Sequence, residues 1–130
     1  MNAEQLQTKL KQFSVIICCY PHRLNPDLVI TDGIRFLQKA ADASWLIDDI
    51  AASLSNVPLK HTTWSYDIRL QVSEQGDIRS GTLVIEDSCD DKIVYYQKKY
   101  SDTSFPLLGE TKLILELDRG NYTLRLPNEY

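Results

Sequence analysis

Cys18, Cys19 and His22 are the tightest group of soft metal ligands in the chain. A structural zinc site needs two spaced pairs of such residues, and the second pair is missing, so no metal is predicted. Adjacent cysteines inside the apolar run Val15 to Tyr20 are expected to pack as core thiols. Cys89 stands in Glu86-Asp87-Ser88-Cys89-Asp90-Asp91. Carboxylates on both sides disfavour the thiolate, which is the reactive form. That acidic run also lacks the glycine and closing glutamate of an EF-hand, which makes it a hydrated turn.

His22 and His61 are the only histidines, and each lies in a loop flanked by proline. Loops carry function more often than cores do, but neither histidine has a serine, cysteine or carboxylate at catalytic spacing. Asp48 and Asp49 are neighbours on a predicted helix, where side chains point about 100° apart. They do not converge on one substrate atom. Asp49 is expected to be solvated, and Asp48 lies toward Trp45. The five glycines are isolated, and no phosphate-cradling motif occurs. No catalytic constellation and no cofactor are predicted.

The elements that must position these residues divide the chain. Residues 3–13 read as a short amphipathic helix, with Leu6, Leu10 and Phe13 on one side. Pro21 and Pro26 bracket a loop. Thr31 is a good N-cap, and Asp32 comes next, where the helix dipole favours an anion. Gly33 costs about 1 kcal/mol against alanine inside a helix, so a close approach of backbone is expected there. From Phe36 to Leu54, apolar residues recur at spacings of four and three, which fits one long helix over 32–55. Ile34, Ala41, Trp45 and Ala52 fall on nearly the opposite face, while Arg35, Gln38 and Asp42 belong to the polar flank. Three causes can explain the second apolar face. The helix breaks at Asp42-Ala43-Ser44, with Ser44 or Asp42 capping a second helix; the N-terminal helix and the 20–30 loop cover it; or a partner does, since Trp is favoured at binding hot spots.

Residues 62–127 switch to strand period. Trp64, Tyr66, Ile68, Leu70 and Val72 alternate with polar residues, and Gly76 supplies a positive φ in the next turn. Residues 81–86 return, and 93–100 form a third strand whose Tyr95-Tyr96 pair leaves its faces unassigned. In the last hairpin, with Arg119-Gly120 at the tip, Leu117 faces Tyr122, Leu115 faces Leu124, and Leu113 faces Leu126. The fold class is α+β: N-terminal helices packed on one face of an antiparallel meander of about five strands. One domain spans 1–130, with a helical half 1–57 and a sheet half 58–130.

The chain has 130 residues and a formal net charge of −4, with its 14 lysines and arginines scattered. Such a charge argues against nucleic acid as a partner. No apolar run is long enough to span a bilayer, and the polar start lacks the basic opening of a signal peptide. A cytoplasmic location with reduced cysteines is expected.

Several blocks resemble a small bacterial family of unknown function: Thr31-Asp32-Gly33-Ile34-Arg35-Phe36-Leu37, Ala43-Ser44-Trp45-Leu46-Ile47-Asp48, Tyr100-Ser101-Asp102 with Phe105-Pro106-Leu107, and Leu126-Pro127-Asn128-Glu129-Tyr130. His22 also matches a family histidine. The resemblance covers roughly residues 13–130. Departures are Ser44 in place of an aromatic, Asn128 in place of a serine, and two extra residues between Asp102 and Phe105. It implies that Asp32, Trp45, Asp48, Glu129 and Tyr130 gather in space, with His22 as a further candidate, and it implies no mechanism. The expected function is that of an accessory module that binds a protein partner, or a second copy of itself, through the Trp45 face. The alternative is a small hydrolase or transferase acting between His22 and Glu129-Tyr130.

Overall fold

The computed structural model describes residues 2–57, 64–89, 92–118 and 121–129. Helix α1 (Ala3–Lys11) opens with a reciprocal capping box between Asn2 and Gln5. Strands β1 (Cys19–Pro21) and β2 (Leu28–Thr31) come next. Beyond them lie α2 (Asp32–Ala40), α3 (Ser44–Ser53) and a 3-10 turn at Leu54–Asn56. Five strands complete the order: β3 (Trp64–Gln75), β4 (Ile78–Asp87), β5 (Val94–Tyr100), β6 (Gly109–Asp118) and β7 (Asn121–Arg125).

The class is α+β, with a sheet of seven strands rather than five, ordered β1-β2-β7-β6-β3-β4-β5. The two extra strands are short. β2 has four residues, and β1 has three and ends in proline, so neither is long enough to show a period. All neighbouring pairs are antiparallel except β2 with β7. Nor is the sheet a simple meander: β6 lies beside β3, not beside β5. The chain returns from β5 through a loop that buries Phe105 and Leu107 in the core.

The expected hairpins are present. Leu117 pairs with Tyr122 and Leu115 with Leu124. The proposed tip, Arg119-Gly120, lies outside the described residues. Gly76 turns β3 into β4 at φ 61°. Between β4 and β5 the register shifts at Ile85/Glu86, so that Glu86 pairs with Val94 and Ile85 with Tyr96. Tyr95 is the extra residue, and its ring meets Tyr66 edge-on at 5.7 Å. This bulge breaks the strand alternation locally, which is why the tyrosine pair has no readable faces.

Residues 32–55 are two helices, not one. Asp42 adopts φ 50° between them. Ala43 occupies the N-cap of α3 without a side-chain cap, so neither Ser44 nor Asp42 has that role. The break turns α3 relative to α2 and accounts for the second apolar face. The helices do not lie as one uniform layer. Phe13, just past α1, meets Phe36 of α2 at 5.4 Å, α2 packs near β2 and β7, and Trp45 of α3 reaches Tyr100 of β5. Ile34, Leu37, Leu46, Ile47 and Ile50 join Tyr66, Ile68, Leu70, Leu83, Leu113, Leu115 and Leu124 in one core. No described helix is long and apolar enough to cross a membrane.

Candidate functional site

Several hydrogen bonds from distant parts of the chain meet at the first turn of α2. Thr31 caps it as expected, accepting from Ile34 N–H at 3.4 Å. Glu129 comes from the far end of the sequence and is fully buried. Its Oε1 accepts from the Thr31 hydroxyl at 2.6 Å and from Leu126 N–H at 2.9 Å, and its Oε2 accepts from Gly33 N–H at 3.1 Å. A carboxylate at a helix N-terminus meets unpaired N–H groups and the positive end of the dipole. Gly33 makes this approach possible: a β-carbon there would lie 2.5 Å from Glu129 Oε1 and 2.5 Å from Leu126 Cδ1. Arg125 holds the segment from outside, donating to the carbonyls of Leu126, Pro127 and Glu129 and pairing with Glu116.

Asp32, the first residue of α2, faces β1. Its Oδ2 accepts from Cys18 N–H at 3.0 Å and its Oδ1 from the Tyr20 hydroxyl at 2.9 Å. That second bond is the main reason the Tyr20 phenol titrates above its ordinary value. The Arg35 guanidinium lies over the Tyr20 ring, 4.3 Å from its centroid. Asp32 therefore fixes Tyr20, and Tyr20 supports Arg35.

His22 is buried at 4% exposure. Its Nδ1 accepts from Leu24 N–H at 3.1 Å, so the ring hydrogen sits on Nε2, which donates to Asp48 Oδ1 at 2.8 Å. Asp48 Oδ2 accepts from Arg23 Nη2 at 2.8 Å. Both imidazole nitrogens and both carboxylate oxygens are thus committed, and the group ties the loop after β1 to α3.

Between these two arrangements opens a cleft of about 660 Å³. Tyr20, Pro21, His22 and Arg23 line one side, Arg35, Gln38 and Lys39 the other, with Ile30, Asp42 and Ser44 completing it. Arg69, Arg79, Lys92, Lys98, Lys112 and Arg125 each face a carboxylate. Among the described residues, Arg35 and Lys39 of the cleft have no such ion pair, and neither have Lys9, Lys11 and Lys99. The cleft is therefore a cation-rich spot on an acidic chain.

Trp45 packs elsewhere. It is half-buried, edge-on to Tyr100 at 5.0 Å and to Phe105 at 6.4 Å. Asp49 is not merely solvated: it accepts from the Tyr100 hydroxyl at 2.7 Å and from Lys98 at 3.2 Å. Burial, then that hydrogen bond, pushes the Tyr100 phenol well above its ordinary value. The cysteines are exposed rather than packed in the core. Cys18 and Cys19 stand at the start of an edge strand, where one side of the chain is open. The Cys19 thiol is pushed up by partial desolvation and by the charges of Asp32 and Glu129, which disfavours a nucleophile.

Of the candidates from sequence, His22 and Asp48 touch, and Glu129 bonds to the helical turn that Asp32 begins. Trp45 makes its ring contacts with the β5 side, and Tyr130 and His61 lie outside the described residues. Sequence reasoning missed Arg23, Arg35 and Lys39 as site residues. Arg35 and Lys39 are four apart on the polar flank of α2, and that basic i, i+4 pair was the available signal.

Fold and site together define an α+β protein with a mostly antiparallel sheet and a cation-lined cleft beside its short edge strand. A family profile described as "Family of unknown function (DUF6876)" matches residues 4–130, and the chain belongs to that family. No match was found among curated proteins or among solved structures.

Proposed function

We propose that this protein works by binding rather than by chemical turnover, and that the cleft between β1, α2 and α3 is its binding site. In this reading the polar flank of α2 forms one wall of the site. One observation carries it. Two of the three cationic side chains walling the cleft, Arg35 and Lys39, have no ion pair among the described residues, while the acid–base pair beside it, His22 with Asp48, is fully occupied. A general base needs a free lone pair within reach of a substrate proton. His22 Nδ1 spends its lone pair on Leu24 N–H. A hydrolase or transferase between His22 and Glu129 is weakened further by the burial of Glu129 beneath α2. A protein partner fits this reading where it presents a group to the cleft. The Trp45 ring, already flanked by Tyr100 and Phe105, gives a homodimer little purchase.

The test is a fragment screen read by amide NMR, using anionic, neutral and cationic compounds. The reading predicts saturable shifts at Tyr20, Arg23, Gln38 and Ser44, with every fragment recovered chemically unchanged. A cleft that no fragment perturbs, or a fragment converted to product, contradicts it.

A further inference from the structure

We infer that the ligand of the cleft is a small organic anion, with a carboxylate or phosphate head held by Arg35 and Lys39 and an apolar body against Pro21, Ile30 and Tyr20. The inference rests on the cleft being the binding site and adds the chemistry of what binds there.

Three features argue for it. First, the lining contains Arg23, Arg35 and Lys39 against a single acid, Asp42. Arg23 is matched by Asp48. Arg35 and Lys39, on successive turns of one helix face, then stand two against one over Asp42 and leave the lining net positive. Second, Arg35 is held in place. Its guanidinium rests on Tyr20, whose hydroxyl is anchored to Asp32, so less side-chain freedom is lost when it grips an anion. Guanidinium presents a planar fork that fits both carboxylate and phosphate, and lysine adds a point charge. Third, the floor is not polar throughout. Pro21, Ile30 and the Tyr20 ring supply apolar surface beside the charges, and about 660 Å³ exceeds what a bare inorganic ion fills. Gln38 donates to Ser44 Oγ at 3.2 Å across the α2–α3 junction, which fixes the rim next to Lys39. A cationic or purely apolar ligand would leave the net positive charge of this lining unmatched.

The experiment titrates the full chain with phenyl phosphate, benzoate and benzyl alcohol, read by amide NMR. The inference predicts that one or both anions shift Tyr20, Arg35, Lys39 and Ser44 saturably. Benzyl alcohol should shift them weakly or not at all. Tighter phenyl phosphate assigns a phosphate head, and tighter benzoate assigns a carboxylate head. Arg35→Gln and Lys39→Gln should each weaken the anion about tenfold, the worth of a charge-assisted hydrogen bond. Each variant is first checked for an unchanged amide spectrum. Should Arg35→Gln disturb the fold, raised sodium chloride replaces it, because ion binding must weaken with salt. Benzyl alcohol binding the cleft as tightly as the anions would overturn the anion assignment and leave the cleft as the binding site. Absence of any saturable shift there with all three probes would overturn both.

Discussion

Glu129 occupies the space that a side chain at residue 33 would need. A β-carbon built on Gly33 falls 2.5 Å from Glu129 Oε1, closer than any real contact of its kind. A flexible glutamate would ordinarily swing aside. This one is fully buried and accepts from the Thr31 hydroxyl and two backbone N–H groups, so moving it breaks several bonds at once. In a helix, Gly→Ala is normally stabilising by about 1 kcal/mol. Gly33→Ala is expected to destabilise instead, by about 1–3 kcal/mol, as overpacking does. Urea unfolding checks the sign, and a variant more stable than the parent would refute the close fit. Adding Glu129→Ala should make the pair less costly than the sum of its singles.

Trp45 and Tyr100 tie α3 to β5. Trp45→Ala is expected to cost about 2 kcal/mol, less than the full burial value because the ring is half-exposed. In a double-mutant cycle with Tyr100→Ala, the coupling should be about 1 kcal/mol, as for other edge-on aromatic pairs. Additive losses would show that the rings contribute independently. Tyr100→Ala also removes the bond to Asp49, so Tyr100→Phe serves as the control that keeps the ring.

Asp87 gives the fold an acid-sensitive point. Its Oδ1 accepts from Cys89 N–H at 3.0 Å, and that bond is the main reason its carboxyl lies below the ordinary value. A depressed folded-state value means that, as pH falls, the folded chain binds its proton later than the unfolded one. The stabilisation is present above the unfolded value of about 3.9 and is lost as pH falls through the folded value. Asp87→Asn should lower the Tm at pH 7, and the gap to the parent should narrow below about pH 4. A gap that is constant with pH would contradict this assignment.

His22 is predicted to be the Nε2–H tautomer, with Nδ1 a bare acceptor. Long-range proton–nitrogen correlation of the imidazole reads this directly. A hydrogen on Nδ1 would contradict the bond from Leu24 N–H. His22→Ala should cost about 1–3 kcal/mol, since it strands part of the Asp48 carboxylate.

The parts of this fold that were legible in sequence are those set by local pattern. The β6–β7 register was written in its facing leucine rows, the β3–β4 turn in Gly76, and the α2 start in Thr31. Gly33 announced a close approach without naming Glu129, because a partner 96 residues away leaves no local trace. The same limit hid β2, whose parallel partner β7 lies at the other end of the chain. The break between α2 and α3 falls at Asp42-Ala43-Ser44, where the second apolar face pointed to one, although no glycine or proline marks the left-handed Asp42 and the apolar rhythm alone also fitted one long helix. At the cleft, the Arg35–Lys39 spacing was visible. That Tyr20 would support Arg35 depended on β1 pairing with β2, which no short window reveals.

The most direct measurement is a crystal structure of the protein grown with phenyl phosphate or with benzoate, whichever titrates the cleft more tightly. The account predicts the anionic head within hydrogen-bonding reach of Arg35 and Lys39, with the His22–Asp48 pair unchanged beside it. A cleft filled only by water, with the ligand bound elsewhere or not at all, would contradict it.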